Sequence, residues 1–304
     1  MKIHLGRCNR RLTVAATASG ASTVSLSSAR VAAGAKVARL SDGDTAYYLA
    51  GDGGRWVVLV HGVFPPGYTW EPLAKTLAEQ GFRVLYYDAF GRGLSDCPAV
   101  GYDLDLHVRQ LQELTSKLGI DVMHMIGWSL GGTIATRFAA EQPTQISSLT
   151  LIAPALGMPR WVQKLAGVPG MSRLNAWMTD NVDLLAKSFL SRPERCPDFA
   201  ARAREQLAFP GIRESVASNF AHFPRTSGDQ WQAAGQHQRP VLVIWGDNDR
   251  VIPYAWAPRV LELYPRAALL RVEGARHAPH LDHADLVYPA ITSHLMAVES
   301  AETD

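Results

Sequence analysis

Residues 127–131 read Gly-Trp-Ser-Leu-Gly, a G-x-S-x-G pattern in which Ser129 lies between small neighbours. An apolar run at 121–126 precedes it, and apolar residues at helical spacing follow it from 131 to 142. A serine on so sharp a strand-to-helix turn has a strained backbone that lifts its Oγ clear of the sheet. The helix start adds free N–H groups that face whatever the serine attacks. The pattern therefore predicts that Ser129 is a nucleophile.

A serine hydroxyl is a poor nucleophile at neutral pH and needs a base that a carboxylate orients. Downstream, both residue types follow candidate strands. Asp247 and Asp249 lie in the loop after a strand at 240–245. Three histidines follow the strand at 267–272, namely His277, His280 and His283. The carboxyl ends of parallel strands form the edge at which open α/β sheets bind ligands, so an acid and a histidine are expected to meet there.

The elements that must position these residues alternate along the chain. The sequence predicts a hairpin from 36–40 and 45–50 and further strands at 56–60, 83–87, 122–126, 147–152, 240–245 and 267–272. Helices are predicted near 70–80, 103–118, 131–142, 254–264 and 284–297. Such alternation is typical of an α/β fold with a mostly parallel central sheet and helices on both faces.

One stretch breaks this alternation. Between Pro154 and Pro240 the pattern shows only short helical segments punctuated by Pro and Gly, and large apolar residues fill the first half. We interpret residues 155–238 as a helical cap inserted into a core formed by 35–154 and 239–304. Most of the apolar side chains are expected to seat the cap, and the others to line a pocket above the serine.

The composition is that of an ordinary globular protein, with 304 residues, 47% hydrophobic residues and a net charge of +2. No basic stripe with interleaved aromatics predicts a nucleic-acid surface. No apolar run approaches the roughly 18–20 residues that span a bilayer. Three separated cysteines show neither a disulfide framework nor metal-ligand spacing, so no metal is expected. No sequence pattern indicates the oligomeric state.

Residues 1–34 carry all their charge as bases, namely Lys2, Arg7, Arg10, Arg11 and Arg30. The pair Arg10-Arg11 before small apolar residues resembles a twin-arginine export signal, and the composition equally resembles a transit peptide. The alternative is a disordered extension. We expect a cytoplasmic protein, or an exported or organellar one if this basic segment is a targeting signal.

The chain order of serine, acid and histidine resembles that of the α/β-hydrolase family, over about residues 36–298. The family's acid usually closes a G-x-x-D loop, as Asp249 does, and its histidine a G-x-x-H pattern, as His277 does. The resemblance thus implies a triad of Ser129, Asp249 and His277. Asp247 is then expected to cap the turn. The remaining histidines are expected to be surface or helix-start residues, namely His280 and His283.

A tetrahedral intermediate also needs N–H donors aimed at its oxyanion. One is expected from Leu130, just after the nucleophile. Residues 61–63, His-Gly-Val, resemble the family's His-Gly-x loop, which assigns the second donor to Val63 with Phe64 as the alternative. His61 is expected to brace this loop, and the loop at 88–96 to buttress the site. The candidate pocket residues are Phe64, Trp128 and Trp161, although packing under the cap is an equal reading of Trp128.

The resemblance implies a serine esterase or lipase-like enzyme that cleaves an apolar or medium-sized acyl compound through an acyl-enzyme, without metal or organic cofactor. Family members that open epoxides or displace halide carry a carboxylate nucleophile, so Ser129 disfavours those reactions. One triad serves several reactions, so the alternatives are a C–C bond hydrolase, thioesterase, lactonase or acyltransferase. A ligand receptor with negligible turnover is the alternative from another class.

Overall fold

The computed structural model describes residues 11–13, 23–157, 181–222, 229–237 and 239–303. A short antiparallel ribbon pairs β1 (Arg11–Thr13) with β2 (Thr23–Ser25). The main sheet has eight strands, β3 (Lys36–Arg39), β4 (Asp44–Ala50), β5 (Trp56–Val60), β6 (Arg83–Tyr87), β7 (Met123–Trp128), β8 (Ile146–Ile152), β9 (Val241–Gly246) and β10 (Ala268–Val272). Their spatial order is β10-β9-β8-β7-β5-β6-β4-β3.

Strands β5 to β10 run parallel, and the β3–β4 hairpin adds two antiparallel strands at one edge. The predicted hairpin and mostly parallel sheet are therefore confirmed. The described helices are α1 (Leu26–Ala32), α2 (Glu71–Glu79), α3 (Leu104–Lys117), α4 (Leu130–Glu141), α5 (Val182–Phe189), α6 (Phe199–Leu207), α7 (Ile212–His222), α8 (Asp229–Gln236), α9 (Ala257–Leu263), α10 (Pro279–Asp282) and α11 (Ala284–Thr303). No helix within the described ranges is long and apolar enough to cross a membrane.

Apolar packing covers both faces of the sheet. Along β5, Val58 and Val60 join the cluster formed with α3 and α4, whereas Val57 and Leu59 join the cluster formed with α2 and α11. All four side chains are buried. A parallel strand covered on both sides reads as a continuous apolar run, which is why its sequence shows no alternation.

Helices α5, α6 and α7 lie over one end of the sheet, within the predicted insertion. They pack on Phe64 through an apolar cluster of Val182, Ala203, Leu207, Ile212 and Val216. Helix α8 also lies within 155–238, but it packs against α4 of the core. Trp231 and Ala234 of α8 join the core cluster, with the ring of Trp231 6.3 Å from that of Tyr264. The helices that cover the candidate site are therefore α5, α6 and α7.

The later part of the basic N-terminal segment is packed onto the core. Helix α1 starts at Ser25, whose hydroxyl accepts the N–H of Ser28. From its last turn, the buried Arg30 donates to the carbonyl of Leu94 (2.8 Å) and forms ion pairs with Asp96 (3.0 Å) and Asp44 (3.5 Å). The reading of the whole segment as a disordered extension is wrong for α1, because its arginine ties it to the loop at 88–96.

Candidate active site

The turn between β7 and α4 is built around Ser129, which has φ 56° and ψ −120°. Close backbone approach explains both flanking glycines. A Cβ on Gly131 would lie 2.0 Å from the carbonyl oxygen of Val60, and one on Gly127 would lie 2.4 Å from that of Gly131. The residues of β7 are buried, whereas Ser129 is partly exposed. The turn therefore presents the Ser129 hydroxyl at the carboxyl end of the sheet, in a backbone region that is costly for a serine.

The close approach at Gly131 makes a direct prediction. We expect Gly131→Ala to lower the free energy of unfolding by at least about 3 kcal/mol, because a Cβ cannot fit against backbone without moving β5 or α4. Gly53→Ala is the matched control, because a Cβ there meets nothing within 4 Å. Urea unfolding of the two variants measures the difference. Equal stabilities would show that the turn tolerates a side chain at Gly131.

The loops after β9 and β10 bring an acid to a histidine. Oδ2 of Asp249 lies 2.8 Å from Nδ1 of His277, and both side chains are buried. Oδ1 of Asp249 accepts the N–H groups of Val251 (2.8 Å) and Ile252 (2.9 Å), which fix the carboxylate in place. A carboxylate at Nδ1 holds the proton there, so Nε2 of His277 is the nitrogen that can take a proton.

Asp247 has other partners. Its Oδ2 accepts from the guanidinium of Arg271 (2.9 Å) and its Oδ1 accepts the N–H of Gly274 (2.7 Å). The hydrogen bond from Arg271 lowers the pKa of the Asp247 carboxyl. Asp247 thus holds the turn after β10, and Asp249 is the acid in contact with His277.

Trp128 connects the serine turn to the histidine loop. Its Nε1 donates to the carbonyl of His277 at 2.8 Å, and the two ring centroids are 5.4 Å apart. Phe189, at the end of α5, packs edge-on against both rings, 5.5 Å from Trp128 and 5.1 Å from His277. Trp128 is fully buried, so its side chain packs and supports His277 and does not line an open pocket. No local sequence pattern marks Phe189 for this contact.

The expectation that His280 and His283 lie at the surface is wrong. His280 is fully buried between Trp70 and Trp128, with ring centroids 4.7 and 4.9 Å away. Nδ1 of the buried His283 lies 2.9 Å from Oδ1 of Asp282. Both histidines do lie at helix starts, in α10 and just before α11.

Asp282 holds the short helix α10 against the segment that follows α5. Its Oδ2 accepts the N–H groups of Ser191 (2.6 Å) and Arg192 (2.8 Å), which follow α5. A buried carboxylate needs such donors, and they bind α10 to the segment above it.

Burial makes the pH dependence of stability predictable. Desolvation, followed by the charge on His277, lowers the pKa of His280 from 6.5 to about 3. The unfolded chain therefore binds one more proton than the folded one between pH 6.5 and 3, so stability is lost as pH falls through that window. We expect His280→Phe to reduce the loss between pH 6.5 and 5 by about 1.5 kcal/mol, from 1.36 kcal/mol per pH unit at full protonation.

Urea unfolding at pH 6.5 and 5 tests this prediction. His222→Phe, at an exposed position of α7, is the matched control for replacing a histidine with phenylalanine. An identical pH dependence in His280→Phe and wild type would contradict the prediction.

The loop at 61–64 packs directly on the serine turn. A Cβ on Gly62 would lie 3.1 Å from Cβ of Ser129. His61 is buried, and its Nε2 accepts the N–H of Ala89 at 2.9 Å. Burial lowers the pKa of His61 to about 3, so the ring is neutral and donates from Nδ1 to the carbonyl of Gly62 at 2.6 Å. His61 thus fixes the loop at 61–64, and its ring proton is engaged in the hydrogen bond to Gly62.

The oxyanion donors are expected from Leu130, next to Ser129 in the chain, and from residues 63–64 in the loop packed on the serine turn. Leu130 opens α4, where the first N–H groups have no partner within the helix. Val63 and Phe64 follow the braced His61-Gly62 pair. The Phe64 side chain is buried in the cluster under α5 to α7 and so anchors the loop to those helices. Trp161, the remaining pocket candidate, lies outside the described residues.

The loop at 88–96 supports the loop at 61–64. Oδ1 of Asp88 accepts the N–H of Gly67 (2.9 Å), and its Oδ2 accepts the N–H of Leu94 (2.8 Å). Burial raises the pKa of the Asp88 carboxyl from 3.8 to about 6, and the two N–H groups oppose that rise. Asp88 therefore ties the loop at 88–96 to the segment that carries the oxyanion candidates. Within the described ranges, no group of three or more His, Cys, Asp or Glu side chains could hold a metal ion.

Known proteins resemble this chain in both sequence and fold. The family described as "alpha/beta hydrolase fold" matches residues 55–284. A 2-hydroxy-6-oxononadienedioate/2-hydroxy-6-oxononatrienedioate hydrolase of Pseudomonas putida is 29% identical over an alignment of 273 residues. The match covers 82% of this chain and 92% of that protein. An enol-lactonase from Burkholderia xenovorans superimposes with a TM-score of 0.73 at 23% identity, covering 86% of this chain and 100% of that one. An esterase from Exiguobacterium antarcticum gives 0.74 at 20% identity, covering 86% and 98%.

Proposed function

Because the chain belongs to the alpha/beta hydrolase fold family, we propose that it is a serine hydrolase that cleaves carboxylic esters of apolar or medium-sized substrates. The observation that carries this proposal is Ser129, held at φ 56° directly after Trp128, whose Nε1 donates to the carbonyl of His277 in the buried His277–Asp249 pair. Strained, partly exposed nucleophiles with a carboxylate-held histidine are the apparatus of acyl transfer.

We assign the following roles to these residues. Oγ of Ser129 attacks the acyl carbonyl while Nε2 of His277 takes its proton, and Asp249 keeps the other ring proton on Nδ1. The N–H groups of Leu130 and Val63 hold the oxyanion of the tetrahedral intermediate. His277 returns the proton to the departing alcohol, and it then activates a water that releases the acid from Ser129.

The chemistry of the surroundings favours an apolar acyl group. Apolar side chains near the serine turn and the loop at 61–64 include Val63, Phe64, Leu130 and Phe189. Arg92, a buried cation beside this loop, is engaged with neutral oxygen atoms of the protein. An uncharged ester loses less hydration than a carboxylate on entering such surroundings.

C–C bond hydrolysis is a second candidate, and the relatives favour it. The Pseudomonas putida protein is named for a dioate with a 2-hydroxy-6-oxo-diene unit, and the similarity covers 82% of this chain. The same serine, histidine and oxyanion donors can serve a ketone carbonyl, in which case a carbon leaves in place of an alcohol oxygen.

Parallel assays separate these candidates. We expect hydrolysis of p-nitrophenyl acetate, butyrate, octanoate and laurate, and covalent labelling of the Ser129 peptide by a fluorophosphonate. A 2-hydroxy-6-oxo-dienoate, followed by loss of its chromophore, tests C–C cleavage. Labelling and dienoate cleavage without ester turnover would favour the second candidate. A folded protein that neither labels nor turns over any of these compounds would overturn the enzyme proposal.

A further inference from the structure

Arg92 is an arginine in an unusual place. It lies in the loop after β6 with only 1% of its surface exposed, and its contacts among the described residues include no carboxylate. Burial lowers the pKa of its guanidinium to about 10, so the group stays charged at neutral pH. A buried charge without a counter-charge is expensive, and a role in folding alone would be met at lower cost by an apolar side chain.

The guanidinium joins two separate parts of the site. Its Nε donates to the carbonyl of Val63 at 2.5 Å. Its Nη1 donates to the carbonyl of Gly91 (3.1 Å) and the hydroxyl of Ser215 (2.6 Å), and its Nη2 donates to Oδ1 of Asn219. Nε of Arg92 therefore holds the loop at 61–64, which we call the oxyanion loop. Nη1 and Nη2 hold α7, one of the three helices that cover the site.

The contact with Val63 bears directly on the oxyanion donors. In a trans peptide, the carbonyl of Val63 and the N–H of Phe64 lie in one plane and point in opposite directions. The N–H of Val63 itself is only one peptide further back. By fixing this carbonyl, Arg92 directly fixes the direction of the Phe64 N–H, and it restrains the Val63 N–H through the backbone of the same residue. Polarisation of the carbonyl by the charge also strengthens the N–H on the same peptide.

The contact with α7 is equally well defined. Ser215 and Asn219 are four residues apart and face the same side of the helix. Nδ2 of Asn219 donates to the carbonyl of Tyr102 (2.6 Å) and lies 2.9 Å from Nε2 of His107, which turns Oδ1 toward Arg92. The hydroxyl of Ser215 in turn lies 2.7 Å from the carbonyl of Gly91. The position of α7 is thus transmitted to Val63 through one side chain.

We propose that Arg92 is the positioning residue for the oxyanion loop, and that it links the seating of α7 to the strength of the oxyanion hole. The inference rests on the proposed serine hydrolase function. Arginine suits this task better than lysine, because its planar fork donates in several fixed directions at once.

The test compares Arg92→Met, Arg92→Lys and wild type in ester kinetics. We expect Arg92→Met to lower kcat about thirtyfold with KM changed less than about threefold. This loss is smaller than the roughly hundredfold or more that follows removal of an oxyanion donor, because the donor is only displaced. The inhibition constant of a trifluoromethyl ketone, whose adduct carries an oxyanion, should rise by a similar factor. Arg92→Lys should recover only part of the loss. Arg202→Met, at an arginine on the nearby Tyr68 ring, is the control and should match wild type.

Two further measurements keep the outcome clear. Ser215→Ala retains Arg92 and should lower kcat about fivefold, which tests the link if Arg92→Met does not fold. Amide hydrogen exchange across residues 61–64 should be faster in Arg92→Met and in Ser215→Ala, whatever the substrate. Unchanged kcat, inhibitor affinity and exchange would overturn the inference and leave the hydrolase proposal intact. A wild type inert toward esters would instead count against the proposed function, and exchange alone would then decide the role of Arg92.

Discussion

Replacing Ser129 with alanine should lower kcat for ester hydrolysis by at least about a thousandfold and leave the fold intact. The change removes only Oγ, and alanine meets the same φ of 56° that the serine already tolerates. Activity falls because no other hydroxyl occupies the turn to form the acyl-enzyme, while binding and the oxyanion donors survive. Initial rates with a p-nitrophenyl ester, together with circular dichroism and Tm, measure both parts of the expectation.

Ser116→Ala, at an exposed position near the end of α3, is the matched control and should retain full activity. The fluorophosphonate should label wild type and Ser116→Ala but not Ser129→Ala. Ester turnover that persisted in purified Ser129→Ala, above the level of a mock preparation, would refute Ser129 as the nucleophile.

Asp249→Asn should reduce kcat by about a thousandfold to ten-thousandfold, and the structure explains why the amide cannot substitute. Oδ1 of Asp249 accepts two backbone N–H groups, from Val251 and Ile252, so the amide oxygen of an asparagine must take that place. The NH2 group then faces Nδ1 of His277, which becomes an acceptor. The ring proton moves to Nε2, where the base is needed, and His277 can no longer accept the proton of Ser129.

Asp247→Asn is the control from the same loop. Its carboxylate contacts Arg271 and Gly274, so kcat should stay within about threefold of wild type, with a small loss of stability from the exposed ion pair. Rates for the two variants under identical conditions decide between the acids. A severe loss in Asp247→Asn with an active Asp249→Asn would reverse their roles.

Local patterns were sufficient to predict a mostly parallel sheet and the succession of strands and helices along the chain. Buried strands such as β5 and β9 are apolar throughout because helices cover both faces, and that signal needs no knowledge of distant residues. The serine turn is predictable for the same reason, since Gly127 and Gly131 respond to backbone that is close in sequence or in the next strand.

Other features depend on contacts between distant segments. Arg92 meets Ser215 across 123 positions, and the short helix of His280 is held by Asp282, which binds the segment after α5. A histidine near a helix start is usually exposed, and nothing near His280 in the chain announces the two tryptophans that enclose it. Such contacts follow from how the insertion is seated, which depends on tertiary packing.

The ion pairs of Arg30 constrain how this polypeptide can be matured. A peptidase that removed the first 34 residues as a targeting signal would also remove Arg30, an ion-pair partner of Asp44 and Asp96. The loop that carries Asp88 and Arg92 would then be less firmly held. A cut compatible with the architecture seen here would fall ahead of α1. A recombinant protein that starts at residue 55, where the family match begins, would lack the ion pairs of Arg30. It would also lack the β3–β4 hairpin.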